Sequence, residues 1–229
     1  IAVESDTVLA RHGLQKPQPT ASTAKVITML AVMKKKPFTV DTEGATLTLT
    51  PNDVALYNYY IANNGSNVRV AAGEKITQYQ AMQGVLLASS NNLADSLAIW
   101  AFGSLEAYRA YATELLKTYG LTQTTIGTDA SGLSPTTTST ADDLAIIGLR
   151  AMEDPIIAKI IASSQATIPV AGTIYNTNKL LRYDDIVGVK TGETVEAGGV
   201  FILGGVREFD GKDYPIAVAV MGAELGSIA

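Results

Sequence analysis

The sequence predicts an α/β fold of the α+β type, in which strands lie at both chain ends and a helical block lies between them. Two apolar runs, residues 198–206 and 214–221, are joined through Asp210-Gly211, a dipeptide typical of a tight β-hairpin. Short apolar or alternating patterns predict further strands at residues 1–3, 7–11 and 46–50.

The middle of the chain, residues 51–161, has the spacing of apolar residues expected for successive helices. Thr77 and Gln80 have the spacing of a capping box, and Asp154 followed by Pro155 is typical of a helix start. We therefore expect one domain over residues 1–229 with two lobes. The sheet lobe is predicted at about residues 1–50 and 165–229, and the helical lobe at about residues 51–164.

Composition excludes several classes of protein. The chain has no cysteine, which excludes disulfides, thiol catalysis and zinc–thiolate sites. Its net charge is −5 and its only basic block is residues 34–36, so we expect no nucleic-acid binding. His12 is the only histidine and no Gly-x-Ser-x-Gly elbow accompanies it. We interpret His12 as a surface residue near a turn.

Residues 19–25, Pro-Thr-Ala-Ser-Thr-Ala-Lys, predict the first turn of a helix whose apolar body ends at three lysines and Pro37. Ser22 and Lys25 are three residues apart, so on a helix their side chains share one face and can meet. A hydroxyl beside an amine at a helix N-terminus is a candidate activated nucleophile. The alternative is that Ser22 only caps the helix and Lys25 is a solvated surface charge.

Two further motifs accompany Ser22-x-x-Lys25. Residues 88–92, Ala-Ser-Ser-Asn-Asn, lie at the junction of two predicted helices, and Lys190-Thr191-Gly192 lies in the strand region. Ser-x-x-Lys with Ser-Asp-Asn and Lys-Thr-Gly is the motif set of class A β-lactamases and penicillin-binding proteins. Here the middle motif is Ser-x-Asn, without the aspartate.

Longer stretches resemble the D-alanyl-D-alanine carboxypeptidases, the low-molecular-weight penicillin-binding proteins of the serine-type β-lactamase-like superfamily. The stretches that carry the resemblance are residues 89–104, 119–121, 131–133, 139–145, 176–181, 188–194 and 197–198. The resemblance covers about residues 8–223 and implies a β-lactamase/transpeptidase-like fold. In that fold, helices flank an antiparallel sheet, a helical subdomain is inserted, and the cleft lies between the lobes.

The middle motif has two possible registers, Ser89 with Asn91 or Ser90 with Asn92. A gapless match to the family pattern favours Ser89 and Asn91, which places Asn92 where the family usually has aspartate. A second departure from the family is Glu193, directly after Lys-Thr-Gly, where a histidine or aromatic residue is more common. A carboxylate there is expected to affect substrate affinity and rate more than the type of reaction.

The resemblance implies a role for each motif. Ser22 would form the acyl-enzyme and Lys25, at least partly neutral because of burial and a nearby cation, would be its general base. Backbone N–H groups at residues 22 and 193 would bind the oxyanion. The Ser-x-Asn pair would relay a proton to the leaving amine and orient the substrate amide. The predicted catalytic residues are Ser22, Lys25, Ser89, Asn91 and Lys190, and the predicted substrate-binding residues are Thr191, Gly192 and Glu193.

The predicted function is removal of the terminal D-alanine from peptidoglycan stem pentapeptides, with β-lactams as covalent inhibitors and with no metal or cofactor. The alternatives are a D,D-endopeptidase, a β-lactamase, and a catalytically silent peptidoglycan- or β-lactam-binding protein. Class A β-lactamases use a Glu-x-x-x-Asn loop for deacylation. Between residues 91 and 190 the glutamates are Glu106, Glu114 and Glu153, and none has asparagine four residues later. This favours a slowly deacylating penicillin target.

The location of the substrate predicts a protein outside the cytoplasmic membrane, secreted or in the cell envelope. No signal peptide or membrane span is visible in the sequence. Many members of the family carry a C-terminal β domain and an amphipathic anchor, and both are expected to lie outside this chain. Such an anchor would associate the full-length protein with the membrane.

Overall fold

The protein is described by a computed structural model that covers residues 8–183 and 185–226. Its α-helices in these ranges are α1 (Ala24–Lys35), α2 (Pro51–Ala62), α3 (Gln78–Leu86), α4 (Asn91–Phe102), α5 (Leu105–Thr118), α6 (Ala141–Glu153) and α7 (Pro155–Ile161). Its strands are β1 (Gln18–Pro19), β2 (Thr46–Thr48), β3 (Lys75–Thr77), β4 (Thr138–Ser139), β5 (Gln165–Ile168), β6 (Gly172–Tyr175), β7 (Ile186–Thr194), β8 (Gly198–Phe209) and β9 (Lys212–Ala223). Short 3-10 turns occur at Ala21–Thr23 and Lys179–Arg182.

Three long strands form the main sheet, in the order β7–β8–β9 with antiparallel pairing throughout. The predicted hairpin between β8 and β9 turns at Asp210 and Gly211, whose φ angles are 51° and 71°. Two successive positive φ angles are those of the turn that matches the twist of paired strands. Helix α6 packs on this sheet. The remaining strands form the two-stranded pairs β1–β4, β2–β3 and β5–β6.

The N-terminal segment differs from the prediction of an early strand. The run at residues 1–3 and Thr7 lie outside the described residues, and Val8–Arg11 is not a strand. The first strand of the described residues is the two-residue β1, because Pro17 and Pro19 lack the N–H groups that a longer ladder needs. The Arg11 side chain instead forms an ion pair of 2.6 Å with Asp142 of α6. Within the described residues, the main sheet therefore takes its strands from the C-terminal part of the chain.

Helix α1 is the centre of the core. Its residues from Ala24 to Met33 are all buried, and α3, α4, α5 and α6 pack around it. An apolar helix body of this kind is stable only when it is covered on every side. The helix ends with Lys34 and Lys35 in its last turn, where positive charge is favourable, and Pro37 follows.

The predicted helix starts are confirmed at two caps. The Thr77 hydroxyl accepts a hydrogen bond from the Gln80 backbone N–H, and the Gln80 side chain accepts one from the Thr77 N–H. The Asp154 side chain accepts from the first turn of α7, which begins at Pro155. Among residues 8–183 and 185–226, no helix combines the length and the apolar character needed to span a membrane. The division into two lobes stays a prediction.

Candidate active site

Ser22 lies in the 3-10 turn that leads into α1. The residue before it, Ala21, has a φ angle of 45°, an unusual value for a residue with a Cβ. Thr23 holds the turn by donating its hydroxyl to the Thr20 carbonyl at 2.6 Å. Ser22 is partly exposed while the residues on either side are buried, so the turn presents this hydroxyl at the protein surface.

Lys25 is fully buried, although lysine is normally solvated. Its Nζ lies 2.7 Å from the Ser22 Oγ and donates a hydrogen bond of 2.8 Å to the Ser131 carbonyl. Burial, and then the charge of Lys190, lower the pKa of Lys25 well below its ordinary value of 10.5, against an opposing effect of Asp129 and Asp95. The alternative of a solvated surface charge is therefore wrong.

The two registers of the middle motif differ in their contacts. Ser90 is the N-cap of α4, where its hydroxyl accepts from the Leu93 N–H and donates to the Asn92 side chain. The Ser89 hydroxyl and the Asn91 side-chain amide have no hydrogen-bond partner within the described ranges. Ser89 has a φ angle of 59° and directly precedes the N-cap of the helix. Thus Ser90 and Asn92 have structural partners, whereas Ser89 and Asn91 keep their polar groups available.

Asn92 is completely buried and pairs with the backbone of one residue, Val68. Its side-chain oxygen accepts from the Val68 N–H at 3.0 Å, and its amide donates to the Val68 carbonyl at 3.0 Å. An aspartate at this position could make the first bond but has no donor for the second. This departure from the family pattern therefore has a local structural explanation.

Strand β7 brings Lys190, Thr191 and Gly192 against the Ser22 turn. A Cβ on Gly192 would lie 2.6 Å from the Ser22 backbone N, so only glycine permits this approach. Lys190 is buried, and its Nζ donates to the Thr191 carbonyl at 2.8 Å. Burial lowers the pKa of Lys190 to about 7. The Thr191 hydroxyl lies 3.3 Å from that of Thr177.

Glu193 is exposed, and its carboxylate accepts a hydrogen bond of 3.0 Å from the Gly226 N–H. Its side chain is thus engaged with the C-terminal residues that follow β9. His12 is also exposed and lines a groove of about 520 Å³ with residues of β9. None of the predicted site residues lines that groove, in agreement with the interpretation of His12 as a surface residue.

The loop at residues 129–134 contributes groups to the site that the sequence motifs did not assign. The Asp129 carboxylate accepts hydrogen bonds from the backbone N–H groups of Ser131, Gly132 and Ser134. This closes the loop and directs the Ser131 carbonyl to Lys25. A Cβ on Gly132, whose φ is 75°, would lie 2.0 Å from the Ala21 carbonyl oxygen. Ser131-Gly132-Leu133 is one of the sequence stretches that carry the family resemblance, but the sequence does not indicate that Ser131 contacts Lys25.

Comparisons with known proteins agree with this geometry. The family model of the D-alanyl-D-alanine carboxypeptidases matches residues 1–224. The D-alanyl-D-alanine carboxypeptidase DacB2 of Mycobacterium tuberculosis is 31% identical over 212 residues, which are 90% of this chain and 68% of the relative. The carboxypeptidase DacF of Bacillus subtilis is 25% identical over 204 residues, and the chain spans about half of its length, 51%.

Solved structures agree with the predicted fold class. The crystal structure of a D-alanyl-D-alanine carboxypeptidase from M. tuberculosis aligns with a TM-score of 0.78 at 28% identity, over 96% of this chain and 80% of that chain. A DD-transpeptidase of Streptomyces aligns with a TM-score of 0.79 at 25% identity, over 93% of this chain and 84% of that chain. The predicted α/β transpeptidase-like fold is confirmed.

Proposed function

We propose that this chain, which belongs to the D-alanyl-D-alanine carboxypeptidase family, performs the family's reaction with Ser22 as nucleophile and Lys25 as general base. The family match and the carboxypeptidases among its relatives confirm the predicted enzyme class, a serine-type D-Ala-D-Ala carboxypeptidase. The roles of individual residues and the natural substrate are our proposal. The observation that carries it is the hydrogen-bonded pair of Ser22 and the fully buried Lys25.

The first step needs a neutral lysine. Since the pKa of Lys25 is lowered, its amine can accept the Ser22 proton while it still donates to the Ser131 carbonyl. The Ser22 oxygen then attacks the carbonyl carbon of the penultimate D-alanine, and the C=O electrons move onto the oxygen. The backbone N–H groups of Ser22 and Glu193 stabilise that oxyanion, and the close approach of Gly192 to the Ser22 N supports this assignment.

The second step expels the terminal D-alanine. The tetrahedral intermediate collapses, its C–N bond breaks, and the proton that Lys25 took from Ser22 passes through Ser89 to the leaving amine. Asn91 orients the substrate amide. The support is that both side chains lack partners in the described structure, as groups reserved for a ligand do. Water then attacks the acyl-enzyme and releases Ser22 and the shortened peptide.

Recognition of the terminal carboxylate falls to Lys190 and Thr191. A buried lysine whose pKa is about 7 is easily kept protonated by an incoming carboxylate, because the opposite charge raises that pKa. The substrate is a peptidoglycan stem peptide that ends in D-Ala-D-Ala, and β-lactams acylate the same serine. Because this substrate lies in the cell envelope, the protein acts outside the cytoplasmic membrane.

A β-lactamase would need a glutamate whose carboxylate activates the water that hydrolyses the acyl-enzyme. Glu106, Glu114 and Glu153 are all exposed on helices, and the last two form ion pairs within their own helices with Lys117 and Arg150. None of them contacts Ser22 or Lys25 among the described hydrogen bonds. We therefore expect slow hydrolysis of bound penicillin. The comparisons lend no support to the endopeptidase or to the silent binding protein.

The test is incubation with diacetyl-Lys-D-Ala-D-Ala, with release of D-alanine as the readout, together with labelling by a fluorescent penicillin. We expect release by the parent protein, a label on Ser22 by peptide mass spectrometry, and neither with Ser22→Ala. Labelling without D-alanine release would favour the binding protein, and repeated turnover of penicillin would favour the β-lactamase. Cleavage of a crosslinked dimer in place of the peptide would favour the endopeptidase.

A further inference from the structure

A carboxylate lies behind the catalytic lysine, within the apolar helix α4. Asp95 is only 3% exposed, and the neighbouring Leu93, Ala94 and Leu97 belong to the core. A buried carboxylate is costly unless it is hydrogen-bonded or paired with a charge. Asp95 is therefore expected to have specific partners, and the residues of the catalytic motifs are not among its hydrogen-bond partners.

Both oxygens of Asp95 accept a hydrogen bond. The Tyr60 hydroxyl of α2 donates to Oδ2 at 2.6 Å, and the Ala130 backbone N–H donates to Oδ1 at 2.9 Å. Tyr60 is itself buried, and the Ser131 hydroxyl lies 3.4 Å from its oxygen. Asp95 thus connects two helices with the loop that touches the catalytic lysine.

That loop is fixed at adjacent peptide groups. The Ala130 N–H is held by Asp95, and the Ala130 carbonyl accepts from the Thr28 hydroxyl at 2.7 Å. The next carbonyl, that of Ser131, accepts from the Lys25 Nζ at 2.8 Å. Thr28 lies three residues after Lys25, on the same face of α1. The position of the Ser131 carbonyl is therefore set jointly by α1 and α4.

The charges around Lys25 are arranged on two sides. Lys190 of β7 opposes a proton on Lys25, whereas Asp95 of α4 and Asp129 of the loop favour one. Burial raises the pKa of Asp95 to about 6, so above that pH its charge faces the lysine. The other titratable groups that face this cluster are the buried hydroxyls of Tyr60 and Tyr108, whose pKa values burial raises.

We propose that Asp95, supported by Tyr60, is a positioning residue for the general base: it holds the Ala130–Ser131 segment whose carbonyl orients Lys25, and its charge sets how readily Lys25 loses its proton. The proposal rests on the proposed function of Lys25. It adds a group that none of the three motifs contains, and it assigns that group an effect on the pH dependence of acylation.

Two substitutions separate the two parts of the role. Asp95→Asn keeps the shape and can keep both hydrogen bonds, with the amide donating to the Tyr60 oxygen, but removes the charge. We expect the pKa of Lys25 to fall and the acidic limb of the penicillin acylation rate to move to lower pH. Asp95→Leu leaves the Ala130 N–H without its acceptor, and we expect the plateau rate to fall roughly 10- to 100-fold through misplacement of the base.

The pKa of Lys25 is to be measured by NMR titration of the lysine Cε and Nζ signals, with Lys25→Ala identifying the signal by its absence. Ser96→Ala is the matched control, because this buried neighbour on α4 has a hydroxyl without a partner among the described atoms. We expect it to leave both the titration and the acylation rate unchanged. Tyr60→Phe should lower the pKa of Lys25, as Asp95→Asn does, and should lower the plateau acylation rate, as Asp95→Leu does.

The proposal is overturned if Asp95→Asn leaves both the Lys25 titration and the acidic limb unchanged, or if Asp95→Leu acylates at the parent rate. The NMR titration needs no turnover, so it decides the matter even if the parent protein releases no D-alanine. Failure of the proposed function would show as absent release with a normal shift in Asp95→Asn. Failure of this inference would show as normal release without the shift.

Discussion

The two buried lysines of the candidate site lie in contrasting regions. Lys25, on a helix in the centre of the core, bonds to Ser22 and to a carbonyl from a distant loop, and two carboxylates influence its pKa. Lys190, on strand β7, bonds among the described residues only to the carbonyl of the next residue, and burial accounts for its lowered pKa. The first lysine is held in one place by its surroundings, whereas the second keeps its donors available for a ligand.

In the proposed mechanism, the two lysines have opposite tasks. A general base must be neutral and a carboxylate-binding group must be charged, so the two lysines need different proton affinities. Lys190 also affects Lys25, because the charge of Lys190 lowers the pKa of Lys25. The first proton to leave should therefore come from Lys25, the residue whose pKa is lowered by both burial and a neighbouring cation.

The largest expected effect is the loss of penicillin acylation when Lys25 is replaced. Lys25→Ala should reduce the rate of penicillin acylation roughly 100- to 10,000-fold, the usual contribution of a general base. Lys34→Ala, at the exposed end of the same helix, is the control and should leave the rate unchanged. The rate is followed by mass spectrometry of the covalent adduct. An adduct that forms at the parent rate in Lys25→Ala would remove this residue from the mechanism.

Substitution of Gly132 tests whether catalysis depends on the exact position of the Ser22 turn next to Lys25. Gly132→Ala should slow acylation roughly 100-fold, since its Cβ would meet the Ala21 carbonyl oxygen at 2.0 Å and displace the Ser22 turn. Gly172→Ala is the matched control, with nearly the same φ, 76° against 75°, but with open space around the added Cβ. It should cost only the left-handed backbone strain, about 1–2 kcal/mol of stability by urea unfolding. Equal acylation rates in both variants would contradict this account.

The pH profile tests the difference in protonation. The value of kcat/KM should fall at low pH as Lys25 gains its proton, and should fall about tenfold per pH unit above about pH 7 as Lys190 loses its own. Lys190→Arg keeps the charge at every pH, so the alkaline limb should disappear while the acidic limb stays. An unchanged alkaline limb in this variant would assign the limb to another group.

The same shift affects stability in a defined direction. Between pH 7 and 10.5 the unfolded chain binds more protons at Lys190 than the folded chain does, because the folded pKa is lower. The free energy of unfolding contributed by this group should therefore rise with pH in that window. Lys190→Met should reduce that rise, as measured by urea unfolding at several pH values.

The smallest effect on catalysis is expected for a substitution of Asn92, the residue that follows the Ser89-x-Asn91 motif. Asn92→Asp restores the usual family residue but removes the donor to the buried Val68 carbonyl, and should lower the free energy of unfolding by about 1–3 kcal/mol. Asn63→Asp loses a comparable bond to the Tyr59 carbonyl in solvent, and should cost less than about 1 kcal/mol. Both are measured by urea unfolding. Equal losses would show that burial of the Asn92 pair does not matter.

Several features were determined by the sequence itself, because they depend on neighbours in the chain. The hairpin at Asp210-Gly211, the Thr77–Gln80 cap and the contact between the Ser22 and Lys25 side chains are local geometry, and the structure has all three. Ser22 itself lies in a 3-10 turn before α1 and not on the α-helix that the sequence predicts. The prediction of a strand at residues 7–11 is wrong for residues 8–11, the part that the structure describes. A strand requires a partner strand, and the prolines that follow limit strand pairing.

The tertiary structure alone decided the environment of the lysines. Lys25 is buried because four helices surround α1, and its acceptor, Ser131, lies 106 positions away in the sequence. The same holds for Asp95, an acidic residue in an apolar helix that could have faced solvent. Burial and electrostatic shifts sum contributions from all directions in space, whereas a sequence motif records only separation along the chain. The motifs therefore named the candidate reacting groups, and the fold set their proton affinities.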